Sequence, residues 1–156
     1  VNGVLTNLDI EINDIGPGGA EAIAEALQGN EVLTNLNLMH NNIGNEGAAA
    51  LASALRVNGV LKFLHIGANG IGDEGAAAIA EALQGNGVLT SLDVGGNSLT
   101  EEAALGIVRV DRQRNKLTSL GLAGCSIGPT GAAEIAEYVS GSGVLKQLNL
   151  RENRIS

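Results

Sequence analysis

The sequence predicts an α/β solenoid, a horseshoe with a parallel β-sheet on its concave side and α-helices on its convex back. Three observations carry this reading. An L-x-x-L-x-L-x-x-N-x-L skeleton recurs every 28 residues without insertion or deletion, its leading leucines at Leu5, Leu33, Leu61, Leu89, Leu117 and Leu145. The residues that follow alternate apolar and polar, as in Leu8-Asp9-Ile10, which is the period of a strand with one buried face. The second half of each copy then switches to a helical period, with Ala20, Ile23, Ala24 and Leu27 on one face.

Element by element, the strand segments place Leu8, Leu36, Leu64, Leu92, Leu120 and Leu148 inward and leave their neighbours on the opposite face. The next fixed position of the skeleton holds Asn13, Asn41, Asn69, Asn97, Cys125 and Asn153. An amide there both donates to and accepts from nearby backbone, so stacked copies predict a hydrogen-bonded ladder, with Cys125 as a small buried substitute. The helical faces Ala48/Leu51/Ala52/Leu55 and Ala76/Ile79/Ala80/Leu83 repeat the first. Pro17 and Pro129 suit a first helical turn, and the acids Glu46, Asp73 and Glu74 complement a helix start. Gly29, Gly85 and Gly141 are expected to close helices in the left-handed conformation.

Strands pair about 4.8 Å apart while packed helices need about 8–10 Å, so stacking strand–helix units splays the helical side and curves the array. Residues 1–156 are expected to form one array of about five and a half repeats with no internal domain boundary. Val1-Asn2-Gly3 fits the turn before a strand, and Ile155-Ser156 stops short of a sixth helix. With no polar cap at either end, the array is expected to be part of a longer protein, its bare ends open to end-to-end association.

The pattern V-L-T-x-L-x-L-x-x-N-x-I-G-x-x-G-A-x-A-I-A-x-A-L resembles the ribonuclease-inhibitor-like subfamily of leucine-rich repeats along the whole chain. The resemblance implies a non-enzymatic module that binds a protein partner of unidentified sequence on the concave face. Two further roles follow from other members: a GTPase-activating accessory like the Ran GTPase-activating protein, or ligand-sensing and autoinhibitory repeats of a NOD-like receptor. The uniform spacing and single cysteine are more similar to NOD-like receptor or scaffold members than to ribonuclease inhibitor itself.

Composition narrows the partners. The formal net charge is −8, and most acids lie on the helices or in the loops before them, which reads as a solvated outer face and disfavours nucleic acid. No run of residues is apolar enough for a membrane span. One cysteine and no N-x-[ST] sequon point to a cytoplasmic or nuclear setting rather than an oxidising one.

No cofactor, metal or catalytic group is expected. Gly70-Ile-Gly72-Asp73-Glu74-Gly75 matches a dinucleotide-binding fingerprint, but its counterparts at 15–19 and 43–47 make it a repeat turn, and its two carboxylates would repel phosphate. His40 and His65 have no second ligand at metal-binding spacing. What remains is the variable concave face, where Asp9, Glu11, Asn37, Met39, Phe63, His65, Asp93 and Arg151 are the candidate partner-binding residues. Phe63, the only phenylalanine, is expected to project outward close to Met39 and His65 as an anchor. Beyond them, Gly67, Gly95, Gly96, Gly121, Ala123 and Gly124 predict a shallow floor with approachable backbone. Repeat four departs from the pattern at Thr100 and Asp111, and Arg109, Arg112, Arg114 and Lys116 form a basic cluster, expected to be a solvated face or a dock for an acidic segment.

Overall fold

A computed structural model describes residues 2–156; Val1, the first residue of the expected leading turn, lies outside the described residues. Along the chain come β1 (Asn7–Asp9), α1 (Gly16–Gly29), β2 (Asn35–Asn37), α2 (Gly44–Leu55), β3 (Phe63–His65), α3 (Asp73–Gln84), β4 (Ser91–Asp93), α4 (Glu101–Arg114), β5 (Ser119–Gly121), α5 (Pro129–Gly141) and β6 (Gln147–Asn149). The strands form one parallel sheet in the order β1-β2-β3-β4-β5-β6. Every Cα partner lies 28 residues on, from Leu8 opposite Leu36 to Leu120 opposite Leu148, so the sequence period is the sheet register. Each strand-to-strand connection carries its helix on the convex side, as a parallel crossover requires.

The core is the stack of inward leucines and isoleucines between sheet and helices: Leu36, Leu64, Leu92 and Leu120 are fully buried, as are Ile43, Ile71 and Ile127. Burying one such side chain stabilises by about 1.5–3 kcal/mol. Alanines 48, 52, 54, 76 and 82 are buried where α2 and α3 meet their neighbours, and their small size lets the helices approach closely enough to limit the splay. The first repeat has a neighbour on one side only, and there Leu5 is 42 % exposed although the repeat pattern places it inside.

The asparagine ladder forms. Asn41 Oδ1 accepts the backbone N–H of Asn13 and Ile15 from the preceding repeat, at 2.9 and 3.3 Å, and its amide donates to Ile10 O, Leu38 O and Met39 O. Asn69 and Asn97 repeat the pattern, and Asn153 serves Cys125 and Ile127. The series is interrupted at one rung. Cys125 offers only a thiol, which contacts Ala123 O at 3.6 Å, and the N–H groups of Asn97 and Leu99 find no acceptor on its side chain among the described residues.

The glycine closures differ from expectation. Gly29 and Gly141 are helical, and Gly85 caps α3 with φ −98, so none adopts the left-handed conformation. A second asparagine series follows α1, α2 and α3 instead, and Ser142, accepting from the N–H groups of Val144 and Leu145, follows α5. Asn30, Asn58 and Asn86 each accept the N–H groups two and three residues on, as Asn58 does from Val60 and Leu61 at 2.9 and 2.8 Å. The Asn58 amide also crosses to Leu27 O and Asn30 O of the preceding repeat. With the side chain capping the turn, no left-handed residue is needed. Left-handed backbone flanks the ladder instead, before it at Ile12, His40, Ala68, Gly96, Gly124 and Glu152 and after it at Asp14, Asn42, Gly70 and Ser126, and it ends one helix, at Asn115 after α4.

Helix starts are tied across repeats. Asn45 Oδ1 accepts from Gly72 and Gly75 N–H at the start of α3, and Asp73 accepts from both the backbone and hydroxyl of Thr100 at 2.9 and 2.8 Å. Glu101 Oε2 then accepts from Gly128 at the start of α5. The repeat's G-x-x-G turn exists for this contact, since a Cβ at Gly75 would sit 2.8 Å from Asn45 Oδ1 and 2.7 Å from Ile71 Cγ2. Thr100, which replaces the turn glycine in repeat four, caps α4 conventionally by accepting from Ala103 N–H.

Candidate functional site

The concave face is built from positions that the ladders leave free. Along the sheet it presents three rows: Asn35, Phe63, Ser91, Ser119 and Gln147; then Asn37, His65, Asp93, Gly121 and Asn149; then Met39, Gly67, Gly95, Ala123 and Arg151. The alternation that fixes these rows also separates two expected neighbours. Phe63 pairs with Asn35, whereas Met39 lies four residues farther along its strand direction, about 13 Å away at the rise of an extended chain. Met39 instead lies over the bare Gly67, where an added Cβ would meet its Cε at 3.1 Å. Phe63 and His65 do share β3, and Phe63 is 37 % exposed.

The second row has a structural duty as well. Asp9, Asn37, Asp93 and Asn149 each accept through Oδ1 from the backbone N–H two residues on, at 3.2, 3.1, 2.9 and 3.1 Å. These Asx turns close the strand end, and their sequence signal was the recurrence of Asp or Asn at one repeat position. His65 and Gly121 are the two departures from that series. Asp9 and Glu11 lie exposed at the β1 edge, away from the remaining candidates.

Over β4 and β5 the floor is low, as the glycines led one to expect. Two adjoining depressions occupy it. One, of about 500 Å³, is lined by His65, Ser91, Asp93, Ser119, Gly121, Asn149 and Arg151 among others. The other, of about 370 Å³, includes Phe63, Ser91, Ser119 and Gln147. Together they form an open trough with Phe63 and His65 on one wall and Gln147, Asn149 and Arg151 on the other. The walls stand three strand spacings apart, about 14 Å. The Asp93 side chain leans across the floor: a Cβ at Gly121 would come within 2.5 Å of its carboxylate. Gly121 is therefore what gives Asp93 its place.

The basic cluster of repeat four divides: Arg109 and Arg112 stay on the solvated face with glutamate partners, and Arg114 is internal. Arg109 lies between Glu134, at 2.7 Å, and Glu102, and Arg112 pairs with Glu137 at 3.4 Å. Hydrogen bonds from Glu134 and Glu102 hold the Arg109 proton more tightly than usual, and Arg109 in turn keeps Glu134 below the ordinary carboxylate range. Arg114 turns inward. Its Nη1 bonds the fully buried Asp111 at 2.8 Å, and its other nitrogens donate to Asn86 O and Leu89 O. Asp111 also accepts from the N–H groups of Lys116 and Leu117 and from the Tyr138 hydroxyl at 2.8 Å. Burial pushes the Arg114 value down and the Tyr138 value up, while Asp111 favours the protonated form of both. Lys116 is the one cation of the cluster without an ion pair among the described residues.

The sequence reading of a solvated basic cluster missed this internal group, although a signal existed. Arg114 stands 28 residues after Asn86, and Lys116 and Leu117 stand 28 after Val88 and Leu89. Arg114 thus takes over the donor work of the turn asparagine and Asp111 its acceptor work. Cys125 is fully buried, and burial pushes its thiol up to about 11, so it is a structural cysteine. Among the described residues no group of three or more His, Cys, Asp or Glu side chains is arranged to hold a metal ion, and no helix is long and apolar enough to cross a membrane.

Known proteins resemble this architecture. Two solved structures superpose with a TM-score of 0.77. Leiomodin-1 Actin-Binding Site 2 is 22 % identical, over 88 % of this chain and 80 % of that one. The tropomodulin C-terminal domain of Caenorhabditis elegans is 12 % identical, over 90 % and 86 %. No curated protein sequence matches the chain. The model of the leucine-rich repeat matches residues 1–24, 29–52, 57–80 and 114–136, at the spacing already seen in the sheet register. The chain belongs to the leucine-rich repeat family.

Proposed function

We propose that this array is a non-enzymatic protein-binding module that receives its partner on the concave sheet face. One observation carries the reading: three of the side chains that wall the trough over β4 and β5 have no internal work to do. Phe63, His65 and Arg151 make no side-chain hydrogen bond or ion pair among the described residues, yet they stand around a floor of serine and glycine. An exposed aromatic and an arginine at the edge of an approachable floor are the residue types that anchor protein interfaces. That leiomodin-1 uses this fold as an actin-binding site supports a protein as the partner class.

The test compares two folded variants for capture of cross-linkable partners from cell extract. Phe63→Ala/His65→Ala/Arg151→Ala alters the trough, and Glu25→Ala/Glu137→Ala alters the convex back. The reading expects the first to lose partners that the second and the wild type retain. Loss with the convex variant alone would move the interface to the helices and refute it.

A further inference from the structure

We infer that the trough binds a basic segment of the protein partner, with one guanidinium or ammonium head seated on the Asp93 carboxylate. The inference rests on the concave-face reading and adds the chemistry of the contact. Asp93 Oδ1 is held by Gly95 N–H at 2.9 Å, which fixes the carboxylate over the bare Gly121. Oδ2 has no hydrogen-bond or ion-pair partner among the described residues, so a positioned charge faces the trough with one oxygen free.

A second observation points to an occupant. Ser91, on the floor beside Asp93, is only 5 % exposed, and its hydroxyl makes no hydrogen bond among the described residues. It is not sealed off, because no side-chain nitrogen or oxygen among the described residues is fully buried without a partner. What remains of its surface opens into both depressions, since Ser91 lines each of them. A nearly buried hydroxyl aimed at open space calls for a polar partner there. A hydroxyl that accepts and a carboxylate that accepts together suit a ligand group rich in donors, which a guanidinium or ammonium is.

Charge at the site is divided between its walls: Asp93 is the one carboxylate lining the two depressions, while the cations Arg151 and Lys146 stand at the β6 side without an ion pair among the described residues. His65 and Arg151 are the other titratable groups lining the larger depression. Arg151 stands two strands from Asp93 on the opposite wall, about 10 Å at the sheet spacing, and forms no ion pair with it. It therefore repels a cationic ligand weakly and restricts the head to the Asp93 side. Phe63 closes the other end of the trough beside Ser91 and offers an apolar surface to the stem of the arriving side chain.

The probe is the capped tripeptide acetyl-Gly-Arg-Gly-amide, titrated to about 50 mM against the isotope-labelled chain, which reaches contacts as weak as millimolar. Its neutral isostere, with citrulline in place of arginine, is titrated alongside. The proposal expects saturable amide shifts at Ser91, Gly95, Ser119 and Gly121 with arginine and none with citrulline. Asp93→Asn keeps the Gly95 contact and the shape over Gly121, and is expected to weaken binding roughly tenfold or more. Arg151→Gln is expected to strengthen it. Absence of saturable shifts, or equal shifts with citrulline or with Asp93→Asn, overturns the proposal. If it falls while the Phe63/His65/Arg151 variant still loses its partners, the concave-face function stands and only the cationic contact is wrong.

Discussion

The sharpest stability experiment is at Asp111, because the structure says what its neighbours would lack without it. Asp111→Ala strips the acceptor from Arg114 Nη1, from the N–H groups of Lys116 and Leu117 and from the Tyr138 hydroxyl, in a place where Asp111 is fully buried. Breaking a buried pair on one side costs about 3–5 kcal/mol, since an uncompensated charge stays behind. At this chain length that lowers Tm by roughly 6–20 °C. Arg114→Asn alone strands the carboxylate and costs a similar amount. Together the two changes recreate the arrangement at Asn86, with the introduced amide oxygen free to accept from Lys116 and Leu117 as Asn86 does from Val88 and Leu89. The double variant is therefore expected to lose at least about 2 kcal/mol less than the two single losses added. Urea unfolding followed by circular dichroism measures all four corners of the cycle. Additivity within about 0.5 kcal/mol would show that Asp111 and Arg114 do not replace one asparagine between them.

Four more outcomes follow from the same geometry. Cys125→Asn supplies the missing rung to the N–H groups of Asn97 and Leu99, and is expected to raise stability by about 1–2 kcal/mol in urea titration; a loss would mean the site has closed around sulfur. The Cys125 thiol is held protonated in the folded chain up to about 11 but ionises near its ordinary 9 when unfolded. Stability contributed by that thiol is thus complete below pH 9 and declines between pH 9 and 11, by about 2–3 kcal/mol in total, and Cys125→Ala flattens that part of the profile. The same burial makes an aromatic disulfide reagent label Cys125 slowly in buffer and fast in urea. Arg109→Gln removes only exposed ion pairs, so it is expected to cost less than about 1 kcal/mol, and that cost shrinks further in high salt.

The fold was legible because one physical rule, the constant 28-residue spacing, repeats in the strand, ladder and helix positions at once, and any single register error would have turned every inward leucine outward. The first ladder was legible for the same reason. The second, through Asn30, Asn58 and Asn86, was hidden behind the adjacent glycines, which carry a familiar helix-ending signal of their own. At the site, the glycine floor and the exposure of Phe63 could be read from alternation alone. The distance between Phe63 and Met39 could have been read too, since residues separated by four in register cannot be lateral neighbours. The burial of Arg114 had only its register with Asn86 as a signal: its residue type says surface, and it is the backbone carbonyls of Asn86 and Leu89, brought together by folding, that make the interior habitable for it.

A consequence concerns where this chain can change. Five sets of contacts hold the repeats together: the inward side chains, the two asparagine series, the caps between helix starts and the Asx turns at the strand ends. The first-row positions of the concave face belong to none of these sets, so Phe63, Ser91, Ser119 and Gln147 can differ from repeat to repeat without a stability cost. The second row is different, because its usual Asp or Asn caps the turn, and a repeat that abandons it surrenders a backbone hydrogen bond. His65 and Gly121 do so, and they flank Asp93 on both sides of the sheet. Gly121 in particular gives up both the cap and any side-chain contact, and what occupies the vacated space is the Asp93 carboxylate. Surrendering order at the two positions that surround one carboxylate is the pattern expected of a surface shaped for a ligand, and under the proposed concave-face function it would centre recognition at Asp93 rather than at the more conspicuous Phe63.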